Sequence, residues 1–276
     1  TVDEFKAALA KLKKSGLESL ILDLQGNGGG YLNRAVELSD EFLSEGKKIV
    51  FTRGRTSPPE DYNSSVIGGW EKGKLAILVD ESSASASEIV SGAVQDWDRG
   101  LIIGRRSFGK GLVQKPFQLP DGSAIRLTVA HYYTPSGRNI QKPYKLGEED
   151  EYELDFSNRV KSGELFSADS VKFEDSTNYY TNSKRLVKGG GGIMPDLFVP
   201  LDTSNNSTFY TDLLRKGVLG DFSLTYTDNH RAELLKKYPN IEAFKSTFVL
   251  DDKLFGEFLA AGDKAGVKKD DAGLKT

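Results

Sequence analysis

Leu20-Ile21-Leu22-Asp23-Leu24-Gln25-Gly26-Asn27-Gly28-Gly29-Gly30-Tyr31-Leu32 is the stretch that decides the fold. Leu20 to Leu24 is nearly continuous aliphatic sequence, too short for a helix and suited to a buried strand, and the glycines after it permit a tight reversal. Leu32, Ala35, Val36, Ser39, Phe42 and Leu43 then recur at helical spacing. The result is strand, tight loop, helix. Upstream, Thr1 and Glu4 have capping-box spacing, and Phe5, Ala8, Leu9 and Leu12 predict a first helix that stops at Ser15-Gly16. Downstream, Lys48 to Thr52 reads as a strand, Pro58-Pro59 lies in a polar loop, Leu75 to Val79 reads as another strand, and a helix follows from about Ser85 to Trp97. This alternation predicts an α/β core.

Beyond Leu101 to Gly104 only β signals remain: Leu112 to Leu119, a Pro120-Asp121-Gly122 turn, and Ala124 to Thr134, which together predict a flanking β layer. From 145 to 188 the chain is acidic and irregular, with Glu148-Glu149-Asp150-Glu151, and reads as a surface insertion. Gly189 to Gly192 leads back into Ile193-Met194-Pro195-Asp196. Past Asn205, Phe209/Leu213/Leu214, Ala232/Leu234/Leu235 and Leu254/Phe255/Phe258/Leu259 are helical again, ahead of a Lys/Asp-rich tail. The expected organisation is a core over residues 1–200 and a helical appendage over 201–276.

Composition narrows the chemistry. The 37 basic and 40 acidic residues leave a net charge of −3, with no overall positive field to hold a polyanion, so no nucleic-acid partner is expected. With no cysteine, thiol catalysis and thiolate metal sites are excluded, and two histidines, His131 and His230, cannot build a His-rich metal centre. No metal or other cofactor is expected. Apolar runs such as Leu75 to Val79 fall far short of the ~20 residues that span a bilayer. The chain starts at Thr1 without a basic-then-apolar leader, and the expectation is a processed chain or a fragment.

Three places could carry chemistry. Ser82-Ser83-Ala84-Ser85-Ala86-Ser87-Glu88 clusters hydroxyls between a strand and a helix start, where free N–H groups and the helix dipole stabilise an alkoxide. Ser85 and Glu88 equally have capping-box spacing, so Ser85 also reads as a plain N-cap. Gly104-Arg105-Arg106-Ser107-Phe108-Gly109-Lys110 fits the spacing of a phosphate loop, but Gly111 stands where a metal-holding hydroxyl is needed and a strand follows in place of a helix. A loop lysine is otherwise simply solvated. Gly26 to Gly30 resembles a dinucleotide fingerprint until Tyr31, and its backbone N–H groups could equally hold an oxyanion. Taken together, a serine and a lysine make a workable pair, because lysine serves as a base where its surroundings favour the neutral amine.

The set of motifs resembles the carboxy-terminal processing, or tail-specific, serine peptidases, whose relatives include the tricorn core protease. The resemblance lies in Leu22-Asp23-Leu24 with Asn27 and Gly29-Gly30, in Ser83 to Ile89, in Phe108-Gly109-Lys110-Gly111 with Gln114, in Tyr133 to Arg138, and in Gly190-Gly191-Gly192-Ile193 with Pro195-Asp196, all in the family's order and covering about residues 3 to 200. It implies Ser85 as nucleophile and Lys110, 25 residues on, as general base. It further implies Gln114 as the residue that orients the lysine, the backbone N–H groups of Ala86 and of Gly29 or Gly30 as the oxyanion hole, and Asp96 as a support of the active-site helix. Gln25 and Gly28 depart from the family's arginine and proline. The implied fold is the crotonase- and Clp-like spiral α/β core with a flanking β layer, to which this chain adds its C-terminal helical appendage. The implied activity is endoproteolysis near the exposed C-terminal tails of polypeptides, through an acyl-enzyme, in the bacterial cell envelope or periplasm. A PDZ domain, which recruits tails in this family, is expected upstream in the parent protein, because no segment of that length precedes Leu20. Two alternatives stand beside it: a non-catalytic peptide-binding module of the same fold, and a nucleotide site at Gly104 to Lys110.

Overall fold

The structure, a computed structural model, describes residues 2–65, 67–144, 147, 152, 154–173, 175–203 and 207–269. They fall into two compact units, Thr1–Leu201 and Asp202–Thr276.

In the first unit, helix α1 (Val2–Lys14) leads to β1 (Ser19–Asp23), the glycine loop and α2 (Leu32–Asp40). Strands β2 (Lys48–Arg53), β3 (Glu60–Asn63) and β4 (Lys74–Val79) follow, then α3 (Ala86–Asp96), β5 (Leu101–Gly104) and the hairpin of β6 (Leu112–Gln118) and β7 (Ala124–Tyr133). Later come α4 (Asp155–Lys161), the short pair β8 (Tyr179–Tyr180) and β9 (Leu186–Val187), and β10 (Leu197–Phe198). β1, β4, β5 and β10 form one parallel sheet in that order. β3, β2, β7 and β6 form a second, antiparallel sheet.

This is the expected α/β core with its flanking β layer, with two corrections. Lys48 to Thr52, read as part of the strand–helix alternation, pairs with the hairpin strand β7 in the antiparallel layer, because its inward residues Ile49, Val50 and Phe51 pack there. The polar loop around Pro58-Pro59 contains β3, a strand whose Glu60-Asp61-Tyr62-Asn63 carries no hydrophobic alternation and is held by pairing with β2. The capping pair Thr1–Glu4 cannot be traced, since Thr1 lies outside the described residues.

Helix α3 packs against α2, β5 and β2 and so lies between the two sheets. Ser87 to Asp96 is buried on every side, which small residues Ser91, Gly92 and Ala93 permit. A Cβ on Gly92 would come within 2.9 Å of the Thr134 methyl. Ile77, Val79 and Ile102 from the parallel sheet and Val90 and Val94 from α3 form the core between them. Burying each such side chain contributes roughly 1.5–3 kcal/mol.

The segment read as a surface insertion is anchored inward. Arg159 of α4 and Arg106 share the carboxylate of Glu164, at 2.6 and 2.8 Å, all three side chains being buried. Arg159 also donates to the carbonyl of Ser107 at 3.2 Å. The acidic run Glu148 to Glu151 lies outside the described residues.

The second unit holds α5 (Thr208–Arg215), α6 (Val218–Lys237), α7 (Ile241–Thr247) and α8 (Asp252–Lys264) around a small core of Phe209, Leu213, Val218 and Val267. Ser207, Asn240 and Asp251 cap α5, α7 and α8 by accepting first-turn N–H groups. Among the described residues no helix is long and apolar enough to cross a membrane.

One buried pair fixes the far end of α3. Arg138, fully buried, donates to Asp96 at 2.7 Å and to Gln95 at 2.7 Å, while the second oxygen of Asp96 accepts the Ser136 N–H at 2.9 Å. Removing one partner leaves a buried charge uncompensated, so Arg138→Ala is expected to lower the unfolding free energy by roughly 3–5 kcal/mol in urea titrations. A loss below about 1 kcal/mol would show that the pair does not hold the helix.

Candidate active site

Ser85 ends the turn that connects β4 to α3, and its backbone sits at φ 55°, ψ −113°. Side chains rarely adopt that region, and residues held there cost on the order of 1–3 kcal/mol. The turn is held from several directions. Ser83 Oγ donates to the Leu24 carbonyl at 2.7 Å, and Asp80 N–H donates to Ser83 Oγ at 2.9 Å. Ser87 Oγ donates to the Asn27 carbonyl at 3.0 Å. Of the clustered hydroxyls, Ser83 and Ser87 are therefore occupied in tying the turn to the glycine loop. Ser85 lines the open cleft.

Gly29, at φ 90°, comes so close that a Cβ there would lie 2.7 Å from Ala86 N and 2.8 Å from Ser85 Cβ. Only glycine fits. Its N–H donates to Asn27 Oδ1 at 2.9 Å. Among the described residues no acceptor reaches the N–H of Gly30 or of Ala86. Of the backbone donors named from the sequence, Gly29 is thus occupied, and Gly30 and Ala86 are free. Gly28, in the place of the family's proline, has open space around its Cα. Gln25 N–H donates to Asp23 Oδ1 at 2.9 Å, so the loop turns without the family's arginine.

Lys110 and Gln114 reach the same cleft from the β5–β6 connection and from β6. The cleft has a volume of about 460 Å³, and Arg126, Pro116 and Tyr31 complete its rim. The register of β6 on β7 slips between Val113 and Gln114, a bulge that brings both side chains to the cleft. No direct hydrogen bond joins the Lys110 amine to Ser85 or Gln114 among the described residues. A strand, not a helix, begins at Leu112, so the segment from Gly104 to Lys110 lacks the helix N-terminus of a phosphate loop.

Two buried groups tie the serine turn to the lysine backbone. Glu88 Oε2 accepts from Ser85 N–H at 2.8 Å and from Lys110 N–H at 2.9 Å; Oε1 accepts from Gly109 N–H at 2.7 Å and Ser107 Oγ at 2.5 Å. The Tyr132 hydroxyl bonds to the Lys110 carbonyl oxygen and lies 3.1 Å from that of Ser85. Burial, reinforced by Glu88, raises the proton affinity of the Tyr132 phenol far above the ordinary value, so it stays a donor. The spacing Ser85–Glu88 was legible only as a cap, and the cap is real, but the same carboxyl also holds Lys110. Tyr132 has no sequence signal beyond an inward position on β7. Asp96 stands at the opposite end of α3, bound to Arg138, away from the cleft. His131 contacts Asn139 at 3.3 Å and His230 the Tyr226 carbonyl at 2.9 Å; neither lines the cleft.

An α/β core therefore presents a strained serine at a helix N-terminus, a lysine and the free backbone N–H of Gly30 in one cleft. The chain belongs to Peptidase family S41, whose model matches residues 1–150, more than half its length. A second model, a family of unknown function (DUF8443), matches residues 209–276. Among curated proteins the chain is similar to the carboxy-terminal-processing protease of Bartonella bacilliformis, 43% identical over 146 residues, which are 51% of this chain and 33% of that protein. The carboxyl-terminal-processing protease of a Picosynechococcus species is 40% identical over 139 residues, 50% of this chain and 33% of that one. The chain thus spans about a third of the length of the curated relatives it matches. Among solved structures, the photosystem II D1 C-terminal processing protease superposes with a TM-score of 0.50 and 27% identity, over 72% of this chain and 39% of that one.

Burial raises the proton affinity of Glu88, and the hydrogen bonds from Ser107, Lys110, Gly109 and Ser85 oppose that without cancelling it. The folded state then holds the Glu88 proton more tightly than the unfolded chain does, where glutamate titrates near ~4.3. Its contribution to stability is fully present below that value and is lost as pH rises through the folded one. Measured against Glu88→Gln, which cannot titrate, wild-type stability is expected to be highest near pH 4 and to decline toward pH 8. A difference that stays flat or grows with pH in parallel urea titrations would contradict this.

Proposed function

We propose that this chain is the catalytic part of a serine endopeptidase that cleaves polypeptides near their C-termini. The observation that carries the reading is the convergence of Ser85, Lys110, Gln114 and Gly30, whose N–H is free, on one cleft, with the free N–H of Ala86 next along the chain from Ser85. In this reading, the neutral Lys110 amine takes the proton of Ser85 Oγ as that oxygen attacks the scissile carbonyl carbon. The oxyanion that forms is held by Ala86 N–H and Gly30 N–H, with the dipole of α3 behind them. Gly29 contributes by its closeness, its own N–H being bound to Asn27. The C–N bond then breaks, protonated Lys110 returns its proton to the leaving amine, and the acyl group remains on Ser85. Water, deprotonated by the same amine, then attacks the acyl carbon; the bond from that carbon to Ser85 Oγ breaks, protonated Lys110 returns its proton to Oγ, and the second product leaves as a carboxylate. Gln114 orients the lysine, and Asp96 supports α3 through Arg138.

The names of the relatives support C-terminal processing as the substrate class. The proposed partners are polypeptides with exposed tails. A PDZ domain elsewhere in the parent protein would capture those tails by strand addition, and the proposed location is the bacterial cell envelope or periplasm.

Ser85→Ala is expected to lower peptide hydrolysis by about 10³-fold or more, while Ser83→Ala and Ser87→Ala retain measurable turnover. Lys110→Ala should abolish activity and Lys110→Arg should not restore it, because arginine stays charged. His131→Ala should leave activity unchanged, because His131 bonds to Asn139 and does not line the cleft. Covalent labelling of Ser85 by a fluorophosphonate, located by peptide mapping, is the direct check; turnover by Ser85→Ala at the wild-type rate would overturn the assignment.

A further inference from the structure

Among the described residues, the only charged side chains lining the Ser85 cleft are Lys110 and Arg126; no aspartate or glutamate lines it. The cleft is thus cationic in a chain whose net charge is −3. Glu88 does not offset it, because its carboxyl is fully buried and both oxygens are taken by Ser85, Ser107, Gly109 and Lys110. Arg126 also differs from most arginines of its unit. Arg105 pairs with Glu81, Arg106 and Arg159 with Glu164, Arg138 with Asp96, and Arg185 with Asp98 and Asp196. Arg126 is exposed and, among the described residues, has neither a carboxylate nor a carbonyl acceptor. The hairpin sets its place: Arg126 of β7 stands opposite Pro116 of β6, two positions along from Gln114, which stands opposite Thr128. Gln114, Pro116 and Arg126 therefore share one face of the hairpin, and all three line the cleft.

We infer that Arg126 is a specificity-determining residue that takes a carboxylate of the bound polypeptide a few residues from the bond being cleaved. The inference rests on the reading of the Ser85 cleft as a peptide site. A guanidinium keeps its charge at every working pH, and its planar fork matches the two oxygens of a carboxylate. With no acidic side chain in the cleft to compete, the ligand has to supply that carboxylate. A polypeptide laid over the cleft also removes water from the pair, which strengthens it beyond an ion pair left in solvent. A cationic side chain at the same place meets like charge and is rejected. Two residues along a strand span about 7 Å, and an extended polypeptide following the hairpin advances at the same rise. The group that meets Arg126 therefore belongs to a residue about two positions from the one beside Gln114. A polypeptide offers this chemistry from two sources, an Asp or Glu side chain and the terminal carboxylate.

The test uses decapeptides of Ser, Ala and Leu that carry a neutral methoxycoumarin at the N-terminus. One arm places Asp, Asn or Lys at each position in turn and ends in an amide. The other has no charged side chain and ends in a free carboxylate or an amide, in successive truncations. Binding to the Ser85→Ala chain is read by anisotropy, and hydrolysis of the same peptides by the wild type is followed by chromatography. At one register an Asp peptide should bind at least about fivefold more tightly than its Asn twin, or a free carboxylate than its amide. The first result assigns the side chain as source, the second the terminus. The preference should shrink as salt is raised, as an ion pair requires. Adding Arg126→Ala should bring the ratio to within about twofold of unity, and Arg126→Glu should turn it in favour of the Lys peptide. Arg55→Ala, which removes an exposed arginine outside the cleft, should leave the preference as it was. Equal affinity for acidic and neutral peptides at every register, a preference for Lys peptides, a preference that survives Arg126→Ala, or no binding at all would overturn the role of Arg126. Acid-selective binding that depends on Arg126, without wild-type hydrolysis, would keep that role and overturn the peptidase reading; hydrolysis with equal binding of all peptides would do the reverse.

Discussion

One buried carboxyl, that of Glu88, determines whether the candidate site exists. It accepts four hydrogen bonds, one from the serine turn and three from the segment Ser107 to Lys110. A carboxyl fully removed from water is costly, and an unsatisfied one would be worse than an apolar residue. Here every oxygen is saturated by groups that would themselves be orphaned without it. The N–H of Ser85 precedes a helix start, and those of Gly109 and Lys110 lie in a connection with no strand partner. Loss of the carboxyl would therefore free the serine turn and the lysine loop together, and the distance between them would no longer be specified.

The two sheets explain why such a link is required. Ser85 is delivered by β4 of the parallel sheet and the first turn of α3, whereas Gln114 and the strand following Lys110 belong to the antiparallel sheet. Nothing in either sheet's hydrogen-bond ladder sets the offset between the other's residues. That offset comes from α3, buried between the sheets, and from the side chains that cross at its N-terminus. Tyr132 makes the second crossing, from β7 to the carbonyls of Ser85 and Lys110. The Arg106–Glu164–Arg159 cluster makes a third, from α4 to the carbonyls of the same loop.

How much of this was readable from sequence follows the range of each interaction. The strand, glycine loop and helix at Leu20 to Leu43 are local patterns, and the chain adopts them. Lys48 to Thr52 was readable as a strand but not as a member of the antiparallel sheet, since apolar residues in a short run suit either layer and only pairing with Tyr132 and Tyr133 decides. Ser85 and Glu88 showed their spacing but not the second bond of the carboxyl, made 22 residues away to Lys110. The irregular composition from 145 to 188 hid Arg159 and Glu164, whose burial depends on Arg106, more than fifty residues earlier. That the Gly29 N–H is occupied depended on Asn27, whose side chain could have turned toward solvent.

The strain at Ser85 completes the argument. A serine at φ 55° is unfavourable by itself, and it persists because Glu88 holds its N–H, Ser83 and Ser87 fasten the residues on either side to the glycine loop, and Gly29 leaves room for the turn. In an ordinary N-cap the side-chain oxygen satisfies a first-turn N–H. With the Glu88 side chain gripping the turn, the Ala86 N–H is left without an acceptor among the described residues. An N–H without an acceptor beside this turn is open to a ligand that brings an acceptor oxygen. The backbone conformation, the occupied Gly29 donor and the vacant Gly30 and Ala86 donors are therefore one arrangement, and the close approach of Gly29 to Ala84, Ser85 and Ala86, which leaves no room for a Cβ, is the condition for it.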